Sequence, residues 1–394
     1  MSWAVRRMDE VAELSLGKML DEKKNKGEPL PYLANLNVRW GEFDLKDLRT
    51  MRFEGHELER FSIRAGDIIM CEGGEPGRCA LWKEEQSLMI QKALHRIRPK
   101  PAINSTFLYY SLLNIGKSGG FTPYFTGSTI KHLPKQQLAQ VEIRIPKEET
   151  QNQIAAVLCE YDNLIKNNRR RIVLLEESAR LLYQEWFVHL RFPGHEHVKI
   201  TDGVPEGWYR ITLSELCQQK KKIVKPESFG VDTPYIGLEH MPRRSITLNL
   251  WENSAKVNSN KYWFDQGDIL FGKIRPYFHK IGFTLCSGIT SSDAIVIQAK
   301  SKELYSFTLM YLSSDFFISL ASKTVREGSK MPRADWKYLT KTSLLLPDKR
   351  LLLQFDEQIQ GILKQLSTLS KFNQNLANAR DLLLPRLMNG ELTP

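Results

Sequence analysis

The sequence lacks the features that define several large protein classes. No run of about eighteen apolar residues occurs, so no segment resembles a membrane-spanning helix. The opening residues, Met1-Ser2-Trp3, lead into charged sequence, and we expect no signal peptide. The five cysteines are an odd number without a CxxC pair, which argues against structural zinc and against a disulfide framework. We therefore expect a protein of the reducing cytoplasm.

Catalytic motifs are missing as well. The Asn/Asp-Pro-Pro-aromatic tetrapeptide, with which an adenine amino-methyltransferase would hold a flipped base, does not occur. Residues 72–77 include three glycines without GxGxxG spacing, and their carboxylates would repel a phosphate. Residues 116–118 lack the glycine that a P-loop needs five residues earlier, so we interpret them as a turn after a helix. We expect no catalytic residue, metal ligand or cofactor in this chain, and we assign to a solvated linker His189, His195 and His197.

The composition does provide a modest excess of positive charge. The net charge is +11 and the pI is about 9.3, which suggests a polyanionic partner without establishing one. The apolar fraction of 42% is normal for a globular protein. A length of 394 residues suffices for two ordinary domains with connecting elements.

The most informative feature is an internal duplication. Several motifs recur 201 residues further along the chain, and others recur at slightly different offsets, as loop insertions would require. A period this long indicates two domain-sized copies rather than a solenoid, and it predicts two similar sites in one molecule. The motif pairs include Gly66-Asp67-Ile68 with Gly267-Asp268-Ile269, Gly127-Ser128 with Gly328-Ser329, Pro146 with Pro347, and Pro31-Tyr32-Leu33 with Pro234-Tyr235-Ile236.

Each copy is predicted to be a mixed α+β domain. In the first copy, residues 60–63 and 67–70 are predicted to be short strands, and the apolar segment 107–113 is either a helix or a strand. A polar linker over 193–203 precedes the second copy. Residues 220–222, three consecutive lysines, are predicted to be an exposed loop.

Each copy is followed by a segment with heptad spacing. Steps of four and three from Ile154 and from Phe355 meet mostly apolar residues, with Asn168, Asn373 and Arg380 as polar interruptions. We predict that the two helices pair as an antiparallel coiled coil. About 35 residues of helix span roughly 50 Å, about one and a half turns of B-DNA, so the pair would act as a spacer. The predicted seam residues are Ile154, Leu158, Ile165, Asn168, Ile172, Leu175, Leu182, Phe355, Ile359, Ile362, Leu366, Leu369, Asn373, Leu376 and Leu383.

With these features the chain resembles the specificity (S) subunit of type I restriction–modification systems. The resemblance covers the whole length in both halves and rests on residues 127–133, 141–146, 154–158, 204–208 and 382–392, and on the two Gly-Asp-Ile motifs. In the second copy, residues 330–333 differ from their counterparts 129–132, as expected if the two domains read different half-sites.

The resemblance implies an α+β fold with two similar target recognition domains separated by two long helices in an antiparallel coiled coil. The implied domains are residues 1–146 (first recognition domain), 147–192 (central conserved helix), 193–347 (linker and second recognition domain) and 348–394 (distal conserved helix and tail). The chain would be a non-catalytic subunit that reads a bipartite, asymmetric site. The implied partners are double-stranded DNA, two methylation (M) subunits and restriction (R) subunits. S-adenosylmethionine, ATP and Mg are expected in those partner subunits.

The residues expected to contact DNA lie in loops beside the duplicated motifs and can bind phosphates or base edges. The strongest cluster is 271–277, in which glycine allows close approach and Lys273 and Arg275 alternate onto one face. The candidates are Arg78, Lys117, Thr126, Ser128, Lys131, Lys273, Arg275, Tyr277, Arg326, Ser329, Lys330 and Arg333.

Two other interpretations stay open at the level of sequence. The repeats could form a bivalent coiled-coil adaptor that binds proteins, with the positive charge incidental. Alternatively, the chain could be a self-contained DNA-modifying enzyme with degenerate motifs. A steep fall of affinity with salt distinguishes a DNA reader from an adaptor, and S-adenosylmethionine binding by the isolated chain would favour the enzyme.

Overall fold

A computed structural model describes residues 3–22, 25–325 and 330–393. This part of the chain forms two compact units. Residues up to 165, together with those from 375 onward, form the first, and residues 166–374 form the second. The two heptad-patterned helices contribute to both units, because each boundary between units falls inside one of them.

The first unit is a mixed α+β structure, and the central helix begins in it. In chain order it contains β1 (Ala4–Arg7), α1 (Met8–Val11), β2 (Ala12–Leu16), β3 (Glu28–Leu33), β4 (Arg49–Phe53), α2 (Leu58–Phe61), β5 (Ile68–Cys71), β6 (Cys79–Leu81), β7 (Met89–Ile90), β8 (Leu94–Pro99), α3 (Ser105–Lys117), α4 (Lys135–Ala139), β9 (Glu142–Ile145) and the start of α5 (Glu148–Tyr183).

The second unit repeats this scheme. A π-helical turn, Gln184–Val188, continues α5. Then follow β10 (Ile200–Thr201), β11 (Val204–Pro205), β12 (Tyr209–Thr212), α6 (Leu213–Leu216), β13 (Cys217–Lys220), β14 (Ile223–Val224), β15 (Pro234–Ile236), β16 (Thr247–Leu248), β17 (Glu252–Asn253), β18 (Lys261–Phe264), β19 (Ile269–Gly272), β20 (Ile281–Thr284), β21 (Gly288–Thr290), β22 (Ala294–Ala299), α7 (Tyr305–Leu312), α8 (Asp315–Lys323), α9 (Trp336–Leu339), β23 (Ser343–Leu346) and α10 (Lys349–Met388).

The core of the strand pairing recurs in the two units, and the second unit has additional strands in each sheet. In the first, β2-β8-β5-β6 form an antiparallel sheet, β4-β3-β7 form a second sheet, and β1 pairs with β9. In the second, β13-β22-β19-β20-β16 and β14-β18-β21-β15-β17 form the corresponding sheets, and β12 pairs with β23. β3 and β15 run parallel to the equivalent neighbours β7 and β21. The sequence duplication is therefore a duplication of the fold.

The Gly-Asp-Ile strands lie at the centre of each unit because they are apolar at every position. All four residues of β5 and of β19 are buried. Side chains alternate between the two faces of a strand. Accordingly Ile68 and Met70 pack in the cluster that includes α3, whereas Ile69 and Cys71 pack in a separate cluster on the other face. A continuous apolar run is the signature of a strand covered on both faces.

The two long helices run antiparallel. Within the second unit, Asn168 Nδ2 donates to Asn373 Oδ1 at 3.0 Å, and the rings of Tyr183 and Phe355 lie 6.3 Å apart. Within the first unit, Arg380 donates to Asp162 Oδ1 at 2.5 Å, which continues the same order along the helices. Asn168 and Asn373, which interrupt the two heptad patterns, therefore bond to each other. Arg380, which interrupts the pattern of the second helix, binds a carboxylate of the first.

The predicted seam residues lie on the inner faces of these helices, as judged by their burial. The buried ones are Ile154, Leu158, Ile165, Asn168, Ile172, Phe355, Ile359, Leu366, Leu369 and Leu376. The half-buried ones are Leu175, Leu182, Ile362, Asn373 and Leu383.

Some local predictions were wrong. The segment 60–63, predicted to be a strand, overlaps the helix α2, which continues a helical turn closed by a hydrogen bond from the Glu54 backbone N–H to the Glu57 carboxylate at 3.0 Å. Lys220 is not in a loop but ends β13, where its ammonium pairs with Asp265 and with Asp268. The undecided segment 107–113 lies within α3, because Asn104 caps the first turn by accepting from the Phe107 N–H at 3.0 Å.

No described helix is both long and apolar enough to cross a membrane.

Candidate nucleic-acid interface

The Gly-Ser motif of the first unit lies in a closed, exposed loop. The backbones of Thr126 and His132 exchange two hydrogen bonds of 2.9 Å, which join the ends of the loop. Gly127 has φ +89°, and a Cβ there would lie 2.3 Å from the carbonyl oxygen of Ile130, so only glycine fits. Ser128 and Lys131 are exposed. The loop therefore presents hydroxyl and ammonium groups to solvent on a fixed backbone.

A second loop, the glycine-rich segment that follows β5, lies against this one. The N–H of Leu133 donates to the carbonyl of Glu72 at 2.8 Å. A Cβ on Gly73 would lie 3.0 Å from the His132 ring, so the loops touch. Beside them is an open groove of about 320 Å³, whose lining includes Asn35, Glu72, Gln91, Lys92 and His132.

The second unit contains the same junction, which is the place where the loop after the central strand is hydrogen-bonded to the loop that follows the Gly-Ser motif. The N–H of Ala334 donates to the carbonyl of Lys273 at 2.9 Å, and the N–H of Arg275 donates to the carbonyl of Pro332 at 2.8 Å. The segment after β19 is therefore paired with the segment that follows the second Gly-Ser motif. The backbone hydrogen bonds at Glu72 and Lys273 are 201 residues apart, as are their donors Leu133 and Ala334.

Cationic and aromatic side chains surround the second junction. Arg275 is exposed, and its guanidinium carbon lies 5.8 Å from the centre of the Phe278 ring. Arg243 lies over the same ring at 4.1 Å. Tyr277 is 55% exposed. Cations held on aromatic faces, beside an exposed tyrosine, suit contacts to phosphate and to bases.

A buried histidine bonds a backbone carbonyl in each unit, and in the first unit that carbonyl belongs to the junction residue Leu133. His95 Nε2 lies 2.7 Å from the carbonyl oxygen of Leu133, and His279 Nε2 lies 2.7 Å from that of Ser313. Burial lowers the pKa of both imidazoles, so they are neutral at physiological pH. Because a carbonyl only accepts, Nε2 carries the proton in each ring. These histidines fix the backbone and are not positioned as a metal site, and no cluster of three or more metal-ligating side chains occurs among the described residues.

Comparison with known proteins accounts for the duplicated fold. The family model described as the type I restriction modification DNA specificity domain matches the chain twice, over residues 1–177 and 205–379. The chain belongs to this family. Its two matches coincide with the two copies seen in the fold, and the resemblance inferred from the sequence is confirmed, as is the predicted fold class.

Named relatives agree with this family. The MjaIX specificity subunit of a type I restriction enzyme from Methanocaldococcus jannaschii is 22% identical over 99% of this chain and 93% of its own. The EcoDI specificity subunit from Escherichia coli is 22% identical over 74% of this chain and 71% of its own. The crystal structure of a type I S subunit from M. genitalium shares the fold, with a TM-score of 0.59 at 18% identity over 98% of this chain and 96% of that one. Membership confirms that the chain is a specificity subunit, not a catalytic one.

The predicted contact residues of this specificity subunit fall into different surroundings. Lys131, Lys273 and Lys330 lie at or beside the junctions, and Arg333 there pairs with Asp293 at 3.3 Å. Arg326 and Ser329 lie outside the described residues.

Two other candidates are engaged inside the first unit. The guanidinium of Arg78 donates to the Asn35 carbonyl at 2.9 Å and to Glu75 at 2.8 Å. Lys117 ends α3, away from the Gly-Ser loop in sequence, and its ammonium binds the Asp381 carboxylate at 2.9 Å. Both side chains hold the fold together, so we regard them as weaker candidates for DNA contact than Lys131.

Sequence reasoning overlooked the groove residues of the first unit. Glu72 was set aside because a carboxylate repels phosphate, and Asn35, Gln91 and His132 carry no motif of their own. The constant offset could have found Glu72, because adding 201 to its number gives Lys273. Asn35 and Gln91 reach the groove only through tertiary folding.

Proposed function

We propose that this specificity subunit reads a bipartite DNA site, with the recognition domains at residues 1–146 and 193–347 each reading one half. The observation that carries the proposal is the repeated junction of two loops, closed by equivalent hydrogen bonds to Glu72 and Lys273. A loop on a rigid framework can enter a DNA groove and place side chains at base edges. Because the two loops differ in sequence, they suit a DNA site whose two halves are different.

We further propose that the helices at 147–192 and 348–394 set the gap between the half-sites and dock methylation subunits. Apolar side chains on the outer helix surfaces support a docking role, since Val173 is 64% exposed and Leu382 is 72% exposed. The S-adenosylmethionine site would lie in the methylation subunits, and restriction subunits with ATP and Mg would join that complex. The site of action would be the cytoplasm, where the DNA is.

Modified-base sequencing tests the proposal. DNA is taken from cells that express this chain with the methyltransferase encoded beside it. The expected result is methylated adenine in two short half-sites separated by a fixed gap. Methylation with a single continuous motif, or a stable complex without methylation, would contradict it. S-adenosylmethionine bound by the chain alone would point instead to a self-contained enzyme.

Charge-reversal variants assign each half-site to a domain. Lys273→Glu is expected to weaken binding or change only the half-site read by the second domain. Lys302→Glu, an exposed lysine on the connection between β22 and α7, is the matched control and should change neither half-site. Affinity of the complex should also fall steeply with salt, with a log–log slope of about −0.9 per phosphate neutralised. A flat salt dependence would favour the protein-binding adaptor.

A further inference from the structure

The equivalent junctions of the two recognition domains carry opposite chemistry. The matched hydrogen bonds, Leu133 N–H to Glu72 and Ala334 N–H to Lys273, place those two acceptor residues at the same point of the fold. A carboxylate therefore stands in the first domain where an ammonium stands in the second. Both side chains are half-buried, neither fully exposed nor enclosed.

The difference extends to the next residue on the same side of the loop. Gly74 and Arg275 are also 201 residues apart, and both have positive φ, +80° and +48°. The left-handed conformation is easy for glycine and unfavourable for arginine. Arg275 keeps it while its N–H is bonded to Pro332, so the backbone is held and the side chain projects from a fixed point. Backbone strain of this kind clusters at functional sites.

The groove of the first domain offers the opposite set of groups. The residues that line it include Glu72, Asn35, Gln91 and His132. The carboxylate only accepts hydrogen bonds, and each amide both accepts and donates. Lys92 also lines the groove and would supply positive charge toward a DNA backbone.

These groups select different base edges in the major groove. Arginine and lysine bind O6 and N7 of guanine, a carboxylate accepts from the amino group of cytosine, and asparagine or glutamine pairs with adenine. We propose that the second domain reads a guanine through Arg275 and Lys273, whereas the first reads a cytosine through the Glu72 carboxylate at the equivalent point. This inference rests on the proposed function and goes beyond it by naming the class of base in each half-site.

The test uses the complex of the chain with its methyltransferase and a set of DNA duplexes. Each duplex carries one base substitution in the motif determined for the wild type, and binding is measured for each. Arg275→Ala is expected to reduce discrimination at one guanine of the second half-site by roughly tenfold to a hundredfold. Glu72→Ala is expected to do the same at one cytosine of the first half-site. Lys302→Ala and Glu85→Ala, both at exposed positions, are the matched controls.

The unmutated domain reports on folding in each variant. The Arg275→Ala variant should keep its discrimination in the first half-site. The Glu72→Ala variant should keep its discrimination in the second half-site. A uniform loss of affinity for all duplexes, with a salt slope smaller by about one, would show that Arg275 contacts phosphate and would overturn the assignment. Unchanged discrimination in either variant, or a wild-type half-site without a G·C pair, would also overturn the assignment for that domain. Failure of the wild-type complex to select any bipartite motif would instead refute the proposed function.

Discussion

The asparagine pair in the helix seam allows a quantitative test of how the two helices recognise each other. Asn168 is 4% exposed, and its hydrogen bond to Asn373 is 3.0 Å long, in a stripe whose neighbours Ile172 and Leu369 are buried. Replacing Asn373 with leucine leaves the Asn168 amide in an apolar seam without that partner. The loss for a buried polar group of this kind is about 1–3 kcal/mol. Asn168→Leu should cost less, because the half-buried Asn373 can turn to water.

Replacing both asparagines removes the problem, since the seam becomes continuously apolar. We expect the free energy of unfolding of the double variant to lie within about 1 kcal/mol of the wild-type value. This gives a coupling energy of about 1–3 kcal/mol between the two sites. The assay is urea denaturation of the full chain followed by circular dichroism. Leucine also forms helix better than asparagine, and the exposed Asn167→Leu variant measures that contribution separately.

The outcome of this cycle is decisive for the pairing of the helices. If Asn373→Leu is no more destabilising than Asn167→Leu, and if the double variant equals the sum of the single ones, the two amides do not interact. The antiparallel register deduced from them would then be refuted.

Three further predictions follow from the same contacts. Burial raises the pKa of Glu176, so its contribution to stability is present below the pKa of the unfolded state and is lost as pH rises through the pKa of the folded state. Glu176→Gln should therefore flatten the fall in Tm as pH rises above 4.5, and an unchanged fall would contradict this. Arg380→Met should cost about 1–3 kcal/mol in urea denaturation, because it removes a charged hydrogen bond to Asp162, and a neutral result would mean that the pair is not formed. Gly127→Val should abolish recognition of the first half-site alone, because φ is +89° and the Cβ would meet a carbonyl at 2.3 Å; sequencing of methylated sites measures this, and loss of both half-sites would mean that the change is not local.

The elements that could be predicted from sequence are those with a long or repeated signal. The heptads of α5 and α10 extend over more than four repeats, so single polar residues such as Asn168 did not hide them. The Gly-Asp-Ile strands were visible because both copies carry them. By contrast, residues 60–63 were misassigned because a four-residue alternation of polar and apolar residues is too short to distinguish a strand from a helical turn that begins with its own side-chain cap.

The candidate site was harder to predict because it depends on pairing between distant segments. Lys273 and Arg275 were found from their charge, and their place at a junction with Pro332 and Ala334 became visible only in the fold. Arg78 had the same charge and the same kind of neighbours in sequence. Its guanidinium is nonetheless held by Asn35, which is 43 residues earlier in the chain and carries no local sign of that contact.

The central strands show why the two domains can diverge in what they read while keeping one fold. Asp67 in the first unit accepts two hydrogen bonds from Arg98, at 2.8 and 2.7 Å. The equivalent Asp268 accepts instead from Gln298 at 2.9 Å and from Lys220 at 2.9 Å. A buried carboxylate must be partnered, but the partner need not be the same residue, because any donor at the right distance suffices. The loop junctions lie at the surface and carry no such constraint on charge, so a glutamate and a lysine can occupy one position. If the junctions read DNA as proposed, selection on the DNA sequence recognised can act on them without disturbing the framework that places them.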